Sequence, residues 1–269
     1  MLQSRCDAID VLNAAEPSAK LAAAFALRDK FETSLPAAEK DRAVPNRPAR
    51  PDRPIFASPK YMPRRRLGTQ AGRGALLHAV AHIEFNAIDL AADMIARFAG
   101  HRDIADSLRA EFITDWASVC HDEARHFGLI QDRLAQFDMT YGDLPAHDGL
   151  WQAAEATSGD ILARLAVAPM VLEARGLDVT PAMIAKLKSA RDPDSAAVLQ
   201  IIYDDEIGHV AKGRKWFNYL CESKDLEPVE TFHKTVRTYF PGLLKPPFNE
   251  QARDLAGMPR QYYAPLVTT

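Results

Sequence analysis

The pattern Asp-Glu-x-x-His occurs twice in the chain, at residues 122–126 and 205–209, and no other feature restricts the possible folds as tightly. On a helix, residues three apart stand on one face, so each copy can aim a carboxylate and an imidazole at one point. Upstream of each copy, in another apolar-periodic stretch, lies a lone glutamate: Glu84 is 39 residues before Glu123, and Glu173 is 33 before Glu206. The chain therefore reads Glu, Glu-x-x-His, Glu, Glu-x-x-His. A four-helix bundle that holds two metal ions takes one Glu from each of two helices and a Glu-x-x-His pair from each of the others. With 13 Glu and 8 His among 269 residues, chance gives fewer than one Glu-x-x-His, and three occur. The third, Glu230 with His233, lacks the leading Asp and has no glutamate 33 to 39 residues before it. It is expected on an outer helix, as an ordinary solvated pair.

The intervening sequence supplies the helices. Apolar periodicity and punctuation predict two short helices in residues 7–34, broken by Pro17. Longer ones follow over about 74–99 and 103–137, the second with Asp103 as N-cap. A connection over 138–149 is long enough to cross the end of a bundle. A third helix, about 150–175, should kink at Pro169; Gly176 suggests its end, and Thr180-Pro181 an N-cap and first-turn proline opening a short helix to about 190. The fourth should run from Asp192-Pro193 to about Cys221, with a further helix near 227–239 and a Pro-rich tail. Between Pro36 and Pro63, seven prolines prevent a sustained helix, and the segment carries Arg42, Arg47, Arg50, Arg53, Lys60 and then Arg64, Arg65 and Arg66. Either these arginines pair with acidic surface of the same chain, or they form a docking strip for a phosphate-bearing partner.

Six residues are thus candidate metal ligands: Glu84, Glu123, His126, Glu173, Glu206 and His209. Hard oxygen donors with imidazole suit iron first, with manganese or a mixed manganese–iron pair as alternatives. The residue before each motif Glu points sideways toward the neighbouring motif helix, and a ligating His gives its other ring N–H to an acceptor. Asp122 should therefore meet His209, and Asp205 should meet His126. Tyr203, one turn before Glu206, is a candidate hydrogen-bonding partner of a ligand. Arg175 and the Arg64–66 run are candidate anion contacts. His78, His82, His121, His147 and Asp148 read as structural.

The order Glu84, Glu123/His126, Glu173, Glu206/His209 resembles the ferritin-like carboxylate-bridged dimetal proteins. The wording Leu-Glu-Ala-Arg-Gly-Leu-Asp-Val-Thr-Pro at 172–181 and Tyr-Gly-Asp-Leu-Pro-Ala-His-Asp-Gly-Leu-Trp at 141–151 resembles more narrowly a bacterial family called domain of unknown function 455. That similarity covers roughly residues 60 to 250. More distantly, the Leu-Glu-Ala-Arg stretch is similar to the dimetal tRNA hydroxylases. The resemblance implies an all-α fold: a ferritin-like antiparallel four-helix bundle with one long crossover, a Pro-rich arm and accessory helices. The expected division is an arm with short helices over 1–66, the bundle over 67–240 and a tail over 241–269. No substrate comes with the resemblance.

At 47% hydrophobic the chain can bury a sizeable core, and a net charge of −3 gives no general field for polyanions. RNA would have to bind locally, at the arginine strip. Three widely spaced cysteines, Cys6, Cys120 and Cys221, without Cys-x-x-Cys, read as reduced and cytoplasmic. No apolar run reaches membrane-spanning length. The first functional expectation is an oxygen-dependent di-iron oxidoreductase, of hydroxylase type, acting with dioxygen on an unidentified substrate and served by an electron-donor protein. A ferritin-type iron-oxidising or metal-handling protein is the second, and a helical interaction module with a structural metal site the third. A homodimer is compatible with each.

Overall fold

The computed structural model describes residues 2–33, 42–63 and 66–267. Apart from one isolated β-bridge, their regular structure is all helical. The helices are α1 (Leu2–Asn13), α2 (Pro17–Thr33), α3 (Gln70–Phe98), α4 (Arg109–Ala135), α5 (Gly149–Ala156) and α6 (Ile161–Val167). A π-helical segment, Ala168–Glu173, leads into α7 (Ala174–Ser189), followed by α8 (Pro193–Glu222), α9 (Pro228–Tyr239), α10 (Glu250–Leu255) and α11 (Arg260–Tyr263).

Local sequence explains the long helices. Thr69 caps α3, its hydroxyl accepting from Gly72 N at 3.1 Å, and no proline follows before Phe98. Because α3 is buried on nearly all sides, it runs through the core, packed chiefly on α4 and α1. α8 opens with Asp192 as N-cap, accepting from Ser195 N at 3.0 Å, and Pro193 in its first turn. α7 packs along α8, and the α3–α4 pair meets the α7–α8 pair through α4 and α8.

Three expectations need correcting. Asp103 does not cap α4, which begins at Arg109 behind a short 3-10 turn; its carboxylate instead pairs with Lys224 at 2.5 Å. The single third helix is divided at residues 157–160, where Asp160 restarts it by accepting from Leu162 N and Ala163 N. Pro169 then turns the chain π-helical, with Ala174 N reaching back five residues to Pro169 O. Lastly, Gly176 and Pro181 neither end nor begin a helix, for both lie inside α7. An internal proline strands the carbonyl four residues back. Here that carbonyl, on Leu177, accepts from Asn249 Nδ2 at 3.2 Å, so the tail supplies the bond that Pro181 withholds.

The arm and the 138–149 connection hold each other. Ala57 N donates to Ala146 O at 2.8 Å and Ala146 N to Ile55 O at 3.1 Å, a parallel bridge of Phe56 with Ala146. Gly142 adopts φ +111°, and a Cβ there would sit 3.0 Å from Arg53 Cβ, so glycine is required twice over. His78 Nε2 accepts from Gly142 N at 2.9 Å; His82 accepts from Tyr141 Oη at Nδ1 (2.9 Å) and donates from Nε2 to His147 O (3.0 Å). Three arginines of the arm pair within the chain: Arg42 with Asp10 at 2.6 Å, Arg47 with Asp148 and Glu155, and Arg50 with Asp89 at 2.7 Å. Asp89 also holds the fully buried Lys20 at 2.5 Å. Arg64 and Arg65 lie outside the described residues, and the Arg66 carbonyl accepts from Thr69.

Gly213 of α8 lets Pro169 approach, since a Cβ there would lie 2.5 Å from the proline ring. Elsewhere in a helix Gly→Ala gains about 1 kcal/mol. Gly213→Ala should instead cost about 1–3 kcal/mol by overpacking, measured as a lower urea midpoint. A gain would show that the two elements part without penalty.

Burial lowers His78 and His82 to about 4, against an unfolded value near 6.5. Between pH 6.5 and 4 the unfolded chain therefore binds more protons, and stability falls as pH falls, by at most about 3 kcal/mol per histidine. NMR of the folded protein should show neither imidazole titrating above pH 5. Resonances titrating near 6.5 would contradict the neutral anchors.

Candidate metal centre

The Glu and His of both copies of the pattern and the two lone glutamates come from the facing sides of four elements. α3 carries Glu84, α4 carries Glu123 and His126, the last π-helical position carries Glu173, and α8 carries Glu206 and His209. The three-residue spacing does locally what helix geometry requires: within each pair, carboxylate and ring turn the same way. Glu123 and His126 are fully buried and Glu84 and His209 nearly so.

The cluster centres on Glu123. Its Oε2 lies 3.4 Å from His126 Nδ1 and its Oε1 2.9 Å from His209 Nδ1. Glu84 Oε2 lies 3.2 Å from His126 Nδ1, and Glu206 Oε2 3.7 Å from His209 Nδ1. Two sets of donor atoms result, each within 4.8 Å: Glu84, Glu123 and His126, and Glu123, Glu206 and His209. Glu123 belongs to both. Glu173 joins neither at that range, but its carboxyl is buried beside Glu206.

The leading aspartates cross over. His126 Nε2 lies 2.8 Å from Asp205 Oδ2, and His209 Nε2 lies 3.4 Å from Asp122 Oδ2. Both imidazoles therefore turn Nδ1 to the carboxylates and offer the Nε2 proton to an aspartate of the other motif. Arg125 also binds Asp205, a contact the sequence reading missed. Arg125 stands inside the first motif, at a position where the second has Gly208, so only comparison of the two copies could have singled it out.

Burial and mutual repulsion govern the charges. Burial, then the charge of Glu123, drives Glu84 well above the usual carboxylate range. Burial and the charge of Glu206 do the same to Glu173, and burial with Glu123 raises Glu206. Glu123 is the exception: burial opposes its ionisation, but contacts with His126 and His209 outweigh it and hold its carboxyl below the usual range. Burial likewise opposes the imidazolium forms, yet Glu123 and Glu84 raise His126 to about 11, and Asp122 with Glu123 lifts His209 well above its usual value. Even so, Glu123 Oε1, Glu173 Oε2, Glu206 Oε2 and His209 Nδ1 are buried without a partner in hydrogen-bonding geometry. Buried polar atoms are normally paired, and a divalent cation between them would satisfy these together. These buried Glu and His groups could hold a metal ion.

A cavity of about 140 Å³ opens beside the cluster, between α3, α7 and α8. Glu84, Glu173 and Glu206 stand in an otherwise mostly aliphatic lining that includes Val80, Leu90 and Leu199. Tyr203 is turned elsewhere: its hydroxyl accepts from Asn249 Nδ2 at 2.9 Å, in the tail. Arg175 lines the cavity and donates to the carbonyls of Lys245 and Pro247. His121 meets Arg28, and His233 of the third Glu-x-x-His contacts the carbonyls of Gln261 and Tyr262, so neither belongs to the cluster.

A family model described as "Protein of unknown function (DUF455)" matches residues 13–264. The chain is 40% identical over 209 residues to an uncharacterized protein of Haemophilus influenzae, a match covering 77% of this chain and 72% of that one. No solved structure matches significantly.

If a cation displaces the protons now shared in the cluster, Mn²⁺ or Fe²⁺ added without oxygen should raise the melting temperature. Glu123→Ala, which removes a donor from both sets, should abolish the rise. Asp205→Asn should weaken metal retention by about 10–100-fold in a chelator competition. Unchanged melting on metal addition would count against the site.

Proposed function

The chain belongs to the DUF455 family, whose description assigns no activity, and from its site we propose a dimetal, oxygen-dependent oxidoreductase acting on an organic substrate. In this reading α3, α4, the α6–α7 stretch and α8 form a ferritin-like antiparallel four-helix bundle, crossed by the 138–149 connection, with the described residues of the arm and of the tail packed outside. Glu84, Glu123 and His126 would hold one ion, Glu123, Glu206 and His209 the second, and Glu173 would complete the set. The observation that carries the reading is the sharing of Glu123 between the two donor sets. One carboxylate with an imidazole at each oxygen suits two ions side by side, whereas a single structural ion needs no second set. Iron fits the donors best, with manganese or a mixed pair the alternative. When bound, a ferrous pair supplies the electrons that activate dioxygen.

The protein's own residues supply the rest. Asp122 and Asp205 fix the two rings through Nε2, and Arg125 anchors Asp205. The aliphatic cavity excludes water and admits an apolar group next to Glu84, Glu173 and Glu206. Its lining favours an organic substrate over passage of iron ions, which would need polar groups along the way. Arg42, Arg47 and Arg50 of the arm are taken up by Asp10, Asp148, Glu155 and Asp89, so these three are not offered to a phosphate-bearing partner.

The test is oxygen consumption by the iron-loaded protein with fractions of cell extract and a chemical reductant. Wild type should bind about two irons per chain and consume oxygen faster with at least one fraction, while Glu123→Ala should not respond. Identical uptake by both proteins with every fraction would defeat the enzyme reading.

A further inference from the structure

We propose that the cavity between α3, α7 and α8 binds a small amphiphilic acid, whose apolar group of about six carbons fills it while the anionic headgroup rests on Arg175 at the mouth. Its role as substrate rests on the dimetal reading above; its binding does not.

Size sets the apolar part. The cavity holds about 140 Å³, close to the roughly 150 Å³ that accommodates one benzene ring in a dry protein core. Its walls are mostly aliphatic, with Thr180, Met183 and the three carboxyl groups as the other lining besides Arg175. An anion buried against these walls would lose its hydration without compensating hydrogen bonds, so the apolar end goes in first. Ile83, 46% exposed, and the Arg175 side chain, 39% exposed, stand where the lining reaches solvent.

Charge sets the headgroup. Asp178 is already claimed by Arg253, with Oδ1 to Nε at 2.8 Å and Oδ2 to Nη2 at 2.7 Å. Arg175 stands 3.5 Å from the same carboxylate, so two guanidinium groups face one aspartate and a positive charge is left over. The carbonyls of Lys245 and Pro247, 2.5 and 3.0 Å from Arg175 Nη1, fix that guanidinium without neutralising it. An anion of carboxylate or phosphate type can take its remaining N–H groups. Gly176 keeps the approach open: a Cβ there would lie 4.0 Å from Glu206 Oε1, so a larger side chain would fill the space above the acids.

The probes are hexanoate, hexyl phosphate and 1-hexanol, titrated calorimetrically into metal-free and zinc-loaded protein. At least one anion should bind tenfold or more tighter than hexanol, and the better of the two tells carboxylate from phosphate. Arg175→Gln should erase that preference, and Arg175→Lys should keep part of it. From butanoate to hexanoate, affinity should rise about fourfold per methylene and then level. Gly176→Val, with Val179→Phe as a second obstruction, should abolish binding of all probes with zinc content unchanged. Equal binding of hexanol and hexanoate, indifference to Arg175→Gln, or full affinity in both obstructed variants would overturn the assignment; Arg175-independent binding only with zinc would mean that the headgroup sits on the metal. Arg175-dependent binding by a protein that takes up no metal would sink the dimetal reading and leave the acid site standing.

Discussion

Burying Glu84, Glu123, His126, Glu206 and His209 in one place works against folding, because each charge loses hydration at an effective cost of several kcal/mol. The protein meets this cost by mutual arrangement. Glu123 sits between two imidazoles and stays ionised, while its carboxylate neighbours are pushed toward their protonated forms. Partnerless atoms remain all the same, and a cation in their midst would relieve both the repulsion and the unmet hydrogen bonding. The crossed aspartates extend the same logic outward, since each motif orients the other's imidazole and neither half of the cluster is complete alone.

The surrounding structure serves to keep that cluster dry and in register. α3 could not carry Asp89 and Asp93 through the core without the buried cations Lys20 and Arg164 and the arginine Arg50 of the arm. The arm in turn is pinned by a β-bridge and by two neutral histidines beneath the 138–149 connection. On the other side the tail secures α7, closing the Leu177 carbonyl and holding Arg175 at the rim of the cavity. Segments that contribute no donor to the cluster therefore determine what can reach it.

The chemistry was more legible in the sequence than the path of the chain. Glu-x-x-His is a local signal whose meaning depends only on helical pitch, so the two motif pairs and their crossed aspartates could be placed from spacing. The region around Glu173 could not. Pro169 and Pro181 both read as interruptions, yet one is accommodated by Gly213 on α8 and the other by Asn249, which lies 72 residues beyond the carbonyl it satisfies. Tyr203 was misjudged for the same reason: its position on α8 suits the cluster, but Asn249 draws its hydroxyl to the tail. Contacts between distant segments decided each case, and periodicity does not report them. No motif marked the cavity as a whole, because its mostly aliphatic lining is drawn from α3, α5, α7, α8 and the π-helical segment.

The most direct test of the account is anomalous diffraction at the iron edge from crystals of the iron-loaded protein. Two peaks are predicted, one among Glu84, Glu123 and His126 and the other among Glu123, Glu206 and His209, both in contact with Glu123. No peak in the core, or a lone peak that leaves Glu123 uncoordinated, would contradict it.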